Sequence, residues 1–143
     1  GEPKQPLSCV ASGGELSRIM LAIKSVLAEK DEIKTLIFDE IDVGVSGRTA
    51  QKVSEKLAVI AACHQVLCIT HLPQIAAMAD QHFLIEKTID QNITKTRIFP
   101  LEEEASVHEL ARILGGVEIT ESVLSNAREM KELARKVKKK LRK

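Results

Sequence analysis

Aromatic side chains are nearly missing from this chain: three Phe, no Trp and no Tyr among 143 residues. The core must therefore come from Leu, Ile, Val and Ala, and a surface that stacks nucleic-acid bases on aromatic rings is not expected. No apolar run approaches the ~20 residues of a membrane span, so no membrane contact is expected. Cysteine is scarce as well. Cys9, Cys63 and Cys68 form no even disulfide framework and suit a reducing cytosol, which sets a cytoplasmic expectation. Cys63, His64, Cys68 and His71 superficially resemble a metal cluster, but Cys68 lies within the apolar run Val66-Leu67-Cys68-Ile69 and reads better as a buried strand residue. The phosphate loop G-x-x-x-x-G-K-[ST] occurs nowhere, so nothing in the chain holds the rest of a nucleotide. An initiator Met is absent too. Gly1-Glu2-Pro3-Lys4-Gln5-Pro6 reads as a loop entered mid-protein, and the chain is expected to be an excised piece of something larger.

What is present is one domain's worth of chain, 44% apolar and 29% charged, as in a soluble globular protein. The net charge of +1 conceals an asymmetry, because residues 131–143 carry eight Lys or Arg against one Glu. Such a basic helical tail could touch DNA or an acidic partner, or be a solvated helix end whose cations suit the dipole. A helix is expected from about Gly14 to Lys30, with Leu16, Ile19, Met20, Ile23 and Leu27 on one face. Lys34 to Phe38 is a short continuous apolar run, expected as a strand buried on both faces. After a loop at 43–47 come a helix from Arg48 to Ala62, a second buried strand from Gln65 to Thr70, and a short helix from Leu72 to Ala79. His82 to Ile89 and Ile93 to Leu101 read as a β-hairpin around Asp90-Gln91-Asn92. Ser106 to Leu114 should be a helix stopped by Gly115-Gly116, and a long helix should run from Ile119 to the end. Alternating strands and helices imply an α/β fold, with chemistry at the C-terminal ends of parallel strands.

Ser12-Gly13-Gly14-Glu15 has the spacing of a capping box, with Ser12 as N-cap and Glu15 reaching back. Two glycines inside it are odd, since each costs roughly 1 kcal/mol against Ala in a helix. Ser106-Val107-His108-Glu109 offers the same spacing with ordinary residues between, so glycine is not needed for the box itself. A bare, glycine-lined helix start does let a phosphate approach backbone N–H groups and the positive end of the dipole. Leu36-Ile37-Phe38 delivers Asp39 and Glu40 to a strand tip. Asp39 suits Mg²⁺, which favours one or two carboxylates plus phosphate and water, and Glu40 suits the orientation and deprotonation of a water. Two surface acids ending a strand is the plainer alternative. His71 ends the next strand, where it could sense a terminal phosphate or serve structure alone, and Ser46-Gly47 could be an ordinary turn into a helix.

Taken in order, these segments resemble the C-terminal half of an ATP-binding-cassette ATPase head, a P-loop NTPase-like fold with a mostly parallel sheet, flanking helices and a β-hairpin. Residues 12–15 match that family's signature motif, 36–40 its Walker B strand, 43–47 its D-loop and His71 its switch histidine. Glu15 departs from the Gln usual in transporter cassettes, and the loop lacks their Ala-Leu-Asp. The wording of residues 11–24, 38–50 and 69–80, continuing through Leu114-Gly115-Gly116 and Ile119-Thr120, is similar to the SMC-like bacterial DNA repair ATPases of the RecN family, over nearly the whole chain.

That resemblance implies a split head, in which this C-terminal lobe is completed by the protein's own N-terminal Walker A lobe and by a second head in a homodimer. It assigns Asp39 to Mg²⁺, Glu40 to general-base work and His71 to the γ-phosphate. Ser12, Gly13, Gly14 and Glu15 would grip ATP on the opposing head, and Ser46 and Gly47 would line the dimer interface. It further implies ATP turnover in DNA recombination and repair, DNA as a partner and a nucleoid-associated location. The alternative is a non-catalytic assembly or DNA-binding module with a vestigial nucleotide site. Lacking Walker A, the chain alone is expected neither to bind ATP tightly nor to hydrolyse it.

Overall fold

A computed structural model describes residues 6, 11–28, 30, 32–90, 93–116 and 118–142. Most of the expected opening loop, Cys9 and the Gln91-Asn92 turn lie outside them. The described elements are α1 (Gly13–Leu27), β1 (Thr35–Phe38), α2 (Gly47–Ile60), β2 (Gln65–Cys68), α3 (Pro73–Met78), β3 (His82–Asp90), β4 (Ile93–Leu101), α4 (Glu103–Gly115) and α5 (Glu121–Leu141). The fold is mixed α/β. β1 and β2 pair in parallel, Thr35 opposite Gln65 through Phe38 opposite Cys68, as the crossover helix α2 requires. β3 and β4 form the expected antiparallel hairpin, a two-stranded sheet separate from the two-stranded parallel one.

Two apolar cores share the helices between them. One lies under the parallel sheet, where Leu36 and Phe38 meet Leu21 of α1, Val53, Leu57 and Ile60 of α2, Ile41 and Ile75. The other joins α3, α4 and α5 through Met78, Val107, Leu110, Ala111, Leu124 and Ala127, with Ala at close helix contacts. α5 starts at Thr120, whose hydroxyl accepts the Val123 amide, and α4 stops where Gly116 adopts a left-handed φ of 73°.

Three expectations change here. β1 is buried on one face only: Leu36 and Phe38 point inward while Ile37 is 69% exposed, and Leu67 and Ile69 of the β2 segment are open on the same terms. A continuous apolar run gave no alternation to separate the faces, and no described element covers the outer one. The stripe named on α1 faces outward as well. Ile19, Met20, Ile23 and Leu27 are exposed and Leu16 half-buried, while the side chain that α1 sinks into the core is Leu21. Finally, Ser106 caps nothing. α4 starts three residues earlier with Glu102 as N-cap, and Ser106 is a buried residue inside it, so the second capping box does not exist.

Candidate functional site

The parallel pairing of β1 and β2 brings their C-terminal ends side by side, and the Ile69 amide donates to the Phe38 carbonyl (3.1 Å) before the strands part. Everything after Phe38 and Ile69 is therefore presented at one edge. α1 reaches the same edge with its N-terminus. Its capping box is complete: Glu15 accepts from the Ser12 amide and hydroxyl, both at 2.8 Å, and Ser12 Oγ accepts the Glu15 amide (3.3 Å). Those two Ser12 donors hold the exposed Glu15 carboxyl below its ordinary range.

The glycines between them answer to packing in cis. A side chain at Gly13 would run into the Glu40 carboxylate, and a Cβ at Gly14 would lie 2.7 Å from the Glu40 carbonyl oxygen. At Gly14 the obstacle is backbone, so glycine there is what lets the start of α1 lie flat against the turn after β1, whereas at Gly13 it is the tip of a flexible side chain that can swing aside. That turn is itself bent, because Glu40 has a φ of 57°, a left-handed value uncommon for a side-chain-bearing residue. Such outliers cluster at ligand and catalytic sites. Ser17 Oγ donates to the Asp39 carbonyl (2.8 Å), and Arg18 donates to the carbonyls of Ile41 (3.2 Å) and Val43 (2.8 Å), tying α1 to the turn along its first two turns. Asp39 Oδ1 accepts the Glu40 amide at 2.9 Å, and both acids remain exposed.

His71 comes to this edge through a residue that motif reading passed over. Asp42, 3% exposed, reaches from the turn across to the end of β2. Its Oδ2 accepts Thr70 Oγ (2.6 Å) and the His71 amide (2.9 Å), and lies 3.1 Å from His71 Nδ1. A clue was present in Asp39-Glu40-Ile41-Asp42. A turn that buries Ile41 completely carries the adjacent carboxylate inward with it, where it must find donors. The negative charges of Asp42 and Asp39 add to burial in pushing the Cys68 thiol up to about 12, so Cys68 is inert as a nucleophile. His64 is placed apart from these groups, its ring nitrogens facing the carbonyls of Ile33 (2.7 Å) and Ala28 (2.9 Å).

Ser12, Gly13, Gly14, Glu15, Asp39 and Glu40 are thus gathered at one edge, with His71 joined to them through Asp42. Ser46 and Gly47 start α2 as exposed residues, and Ser46 makes no side-chain cap bond. No hydrogen bond among the described residues links them to the rest.

No protein-family model matches the chain. Curated relatives do. The DNA repair protein RecN of Bacillus subtilis is 50% identical over 138 residues, covering 96% of this chain and 24% of the relative. RecN of Vibrio cholerae is 48% identical over 91% of the chain and 24% of the relative, and RecN of Streptomyces coelicolor 46% identical over 94% and 24%. The chain belongs to the RecN family. It spans about a quarter of the length of the RecN proteins it matches. The residues gathered at the sheet edge therefore lie within a RecN segment that is matched almost from end to end. No helix among the described residues is long and apolar enough to cross a membrane.

Proposed function

We propose that this chain is the C-terminal lobe of a split ATP-binding-cassette ATPase head in a RecN-type DNA repair protein, working in double-strand break repair and recombination. The observation that carries the reading is the meeting of Gly13 and Gly14 with the Asp39-Glu40 turn. A fully capped, glycine-started helix lies against two carboxylates at the end of a parallel strand. Glu40 orients and deprotonates the water that attacks the γ-phosphate, and His71 contacts that phosphate. Ser12, Gly13, Gly14 and Glu15 face ATP bound on a second head, Gly13 and Gly14 supplying N–H groups and the helix dipole while Ser12 and Glu15 hold the cap, with Ser46 and Gly47 at the interface between heads.

Magnesium fits the donors present. Asp39 Oδ1 takes the Glu40 amide, Oδ2 has no hydrogen-bond partner among the described residues, and no group of three acidic, His or Cys side chains among them forms a cage there. An ion that keeps most of its shell for phosphate oxygens and water needs no more protein than that. Held by Asp39, it would neutralise charge on the phosphates. The protein's own N-terminal lobe, bearing Walker A, is the partner proposed for the open face formed by Met20, Ile23, Ile37 and Leu67, and the working protein is a cytoplasmic, nucleoid-associated homodimer on DNA.

The basic tail does not favour the rival reading of a DNA-binding module without catalysis. Lys131 and Arg135 pair with Glu103, and Lys138 and Arg142 pair with Asp80, so half of its cations staple α5 to the rest of the domain. In the full-length protein, Glu40→Gln is expected to lower ATP turnover at least ~100-fold while ATP-bound dimers accumulate. Turnover within about 2-fold of wild type would overturn the catalytic reading, because removing a general base cannot be that mild. Turnover by the 143-residue chain alone would overturn the split head.

A further inference from the structure

We infer that Asp42 is a positioning residue that locks the His71 imidazole, holding Nδ1 inward as a donor and leaving Nε2 as the atom the ring presents at the sheet edge. Nδ1 lies 3.1 Å from Asp42 Oδ2, within ion-pair range, and because an ionised carboxylate only accepts, that approach favours the proton on Nδ1. The same oxygen accepts the His71 backbone amide at 2.9 Å. Ring and backbone of one residue thus share one buried acceptor, which restricts the rotation of a side chain that is otherwise 71% exposed. Thr70 completes the arrangement, donating to Asp42 Oδ2 at 2.6 Å and accepting the Leu72 amide at 3.0 Å, so the 70–72 segment is wrapped around the carboxylate.

Shaping that segment requires only the Thr70 hydroxyl and the His71 amide. The ring contact is additional, and what it fixes is tautomer and direction. Asp42 reaches this position because the turn is anchored by fully buried Ile41 and bent at Glu40, the candidate base. The turn carrying Glu40 and the ring carried by His71 are therefore coupled through one carboxylate. Nε2 has no hydrogen-bond partner among the described residues. It would donate to a phosphate oxygen once it also carries a proton, with the ring then held between two anions. This last step rests on the ATPase reading above; the lock itself does not.

The test has two arms. Long-range nitrogen–proton NMR of the 143-residue chain at about pH 8, above the ordinary imidazole range, should find neutral His71 protonated on Nδ1. Asp42→Asn should shift it toward the Nε2–H form of a free imidazole. In the full-length protein Asp42→Asn should lower kcat ~10–100-fold with KM for ATP within about 3-fold, and adding it to His71→Ala should give no further loss. The inference is overturned if wild-type His71 carries its proton on Nε2, if Asp42→Asn leaves the tautomer unchanged, or if the two substitutions multiply. The wild-type spectrum decides even if the variant fails to fold. If His71→Ala leaves turnover intact, the phosphate-facing role falls, while the spectra still decide the lock.

Discussion

Around Leu110 the chain is closed. Leu110, Ala111 and Ala127 are 0% exposed, and the helices carrying them are pinned at their rims by Lys131 and Arg135 on Glu103 and by Lys138 and Arg142 on Asp80. Deeper in, buried Ser106 receives Lys131 Nζ at 2.9 Å and meets His82 Nδ1 at 2.8 Å, joining α4, α5 and β3. Burial, with the Lys131 charge adding to it, holds His82 below its ordinary value, so at neutral pH it is a neutral strut. Around Ile37 the chain is open. The same kind of apolar side chain that fills the helical core stands exposed on α1, β1 and β2, with Val26 at 84% and Ile37 at 69%. Exposed apolar side chains on three neighbouring elements are what the proposed docking of an N-terminal lobe would cover. The helical half therefore encloses its own core, while the half bearing the candidate site is covered only on one side.

Three substitutions probe that contrast. Leu110→Ala should be the most damaging, destabilising the chain by about 2–5 kcal/mol in chemical denaturation, because it opens a cavity in a fully enclosed core. A loss below about 1 kcal/mol would mean the helical half is looser than its burial implies. Asp80→Asn should cost less, up to about 1 kcal/mol for exposed ion pairs, and this cost should depend on pH. The Arg142 hydrogen bonds hold the Asp80 carboxyl below its ordinary value in the folded state, with Lys138 helping against the opposing effect of partial burial. A folded-state value lowered in this way stabilises above the unfolded pKa and is lost as pH falls through the folded one. Wild type should therefore lose its advantage over Asp80→Asn on acidification, and a gap that widens with acid would contradict the pairing. Ile37→Ser should do least, within about 0.5 kcal/mol in this chain, since the side chain is already in water. In the full-length protein the same change should be clearly destabilising if the proposed N-terminal lobe covers that face; equal, small effects in both would mean it stays open.

Much of this was readable from residue order. Every strand and helix described was anticipated, and Ser12 with Glu15 formed the box their spacing required. What escaped had physical causes. Periodicity has no purchase on a run such as Leu36-Ile37-Phe38, because three apolar residues in a row cannot say which face is covered. α1 gave the opposite trouble, since its apolar stripe was real but faced away from the core. Ser106 had the spacing of a cap, yet Glu102 starts the helix a turn earlier and leaves that serine buried against His82 and Lys131. The basic tail read as free charge, and the ion pairs that consume half of it lie at sequence distances no local pattern reports.

Local order sufficed for the elements, the cap on α1, the two acids at the strand tip and membership in the RecN family, because each is carried by residues adjacent in sequence or one helical turn apart. Packing alone established why 14 is glycine, that Glu40 is bent and what holds His71. The glycine at 14 and the hold on His71 depend on the approach of α1 to the turn after β1 and of Asp42 to the end of β2, contacts between segments that are distant in sequence and meet only once the sheet and its helices have packed.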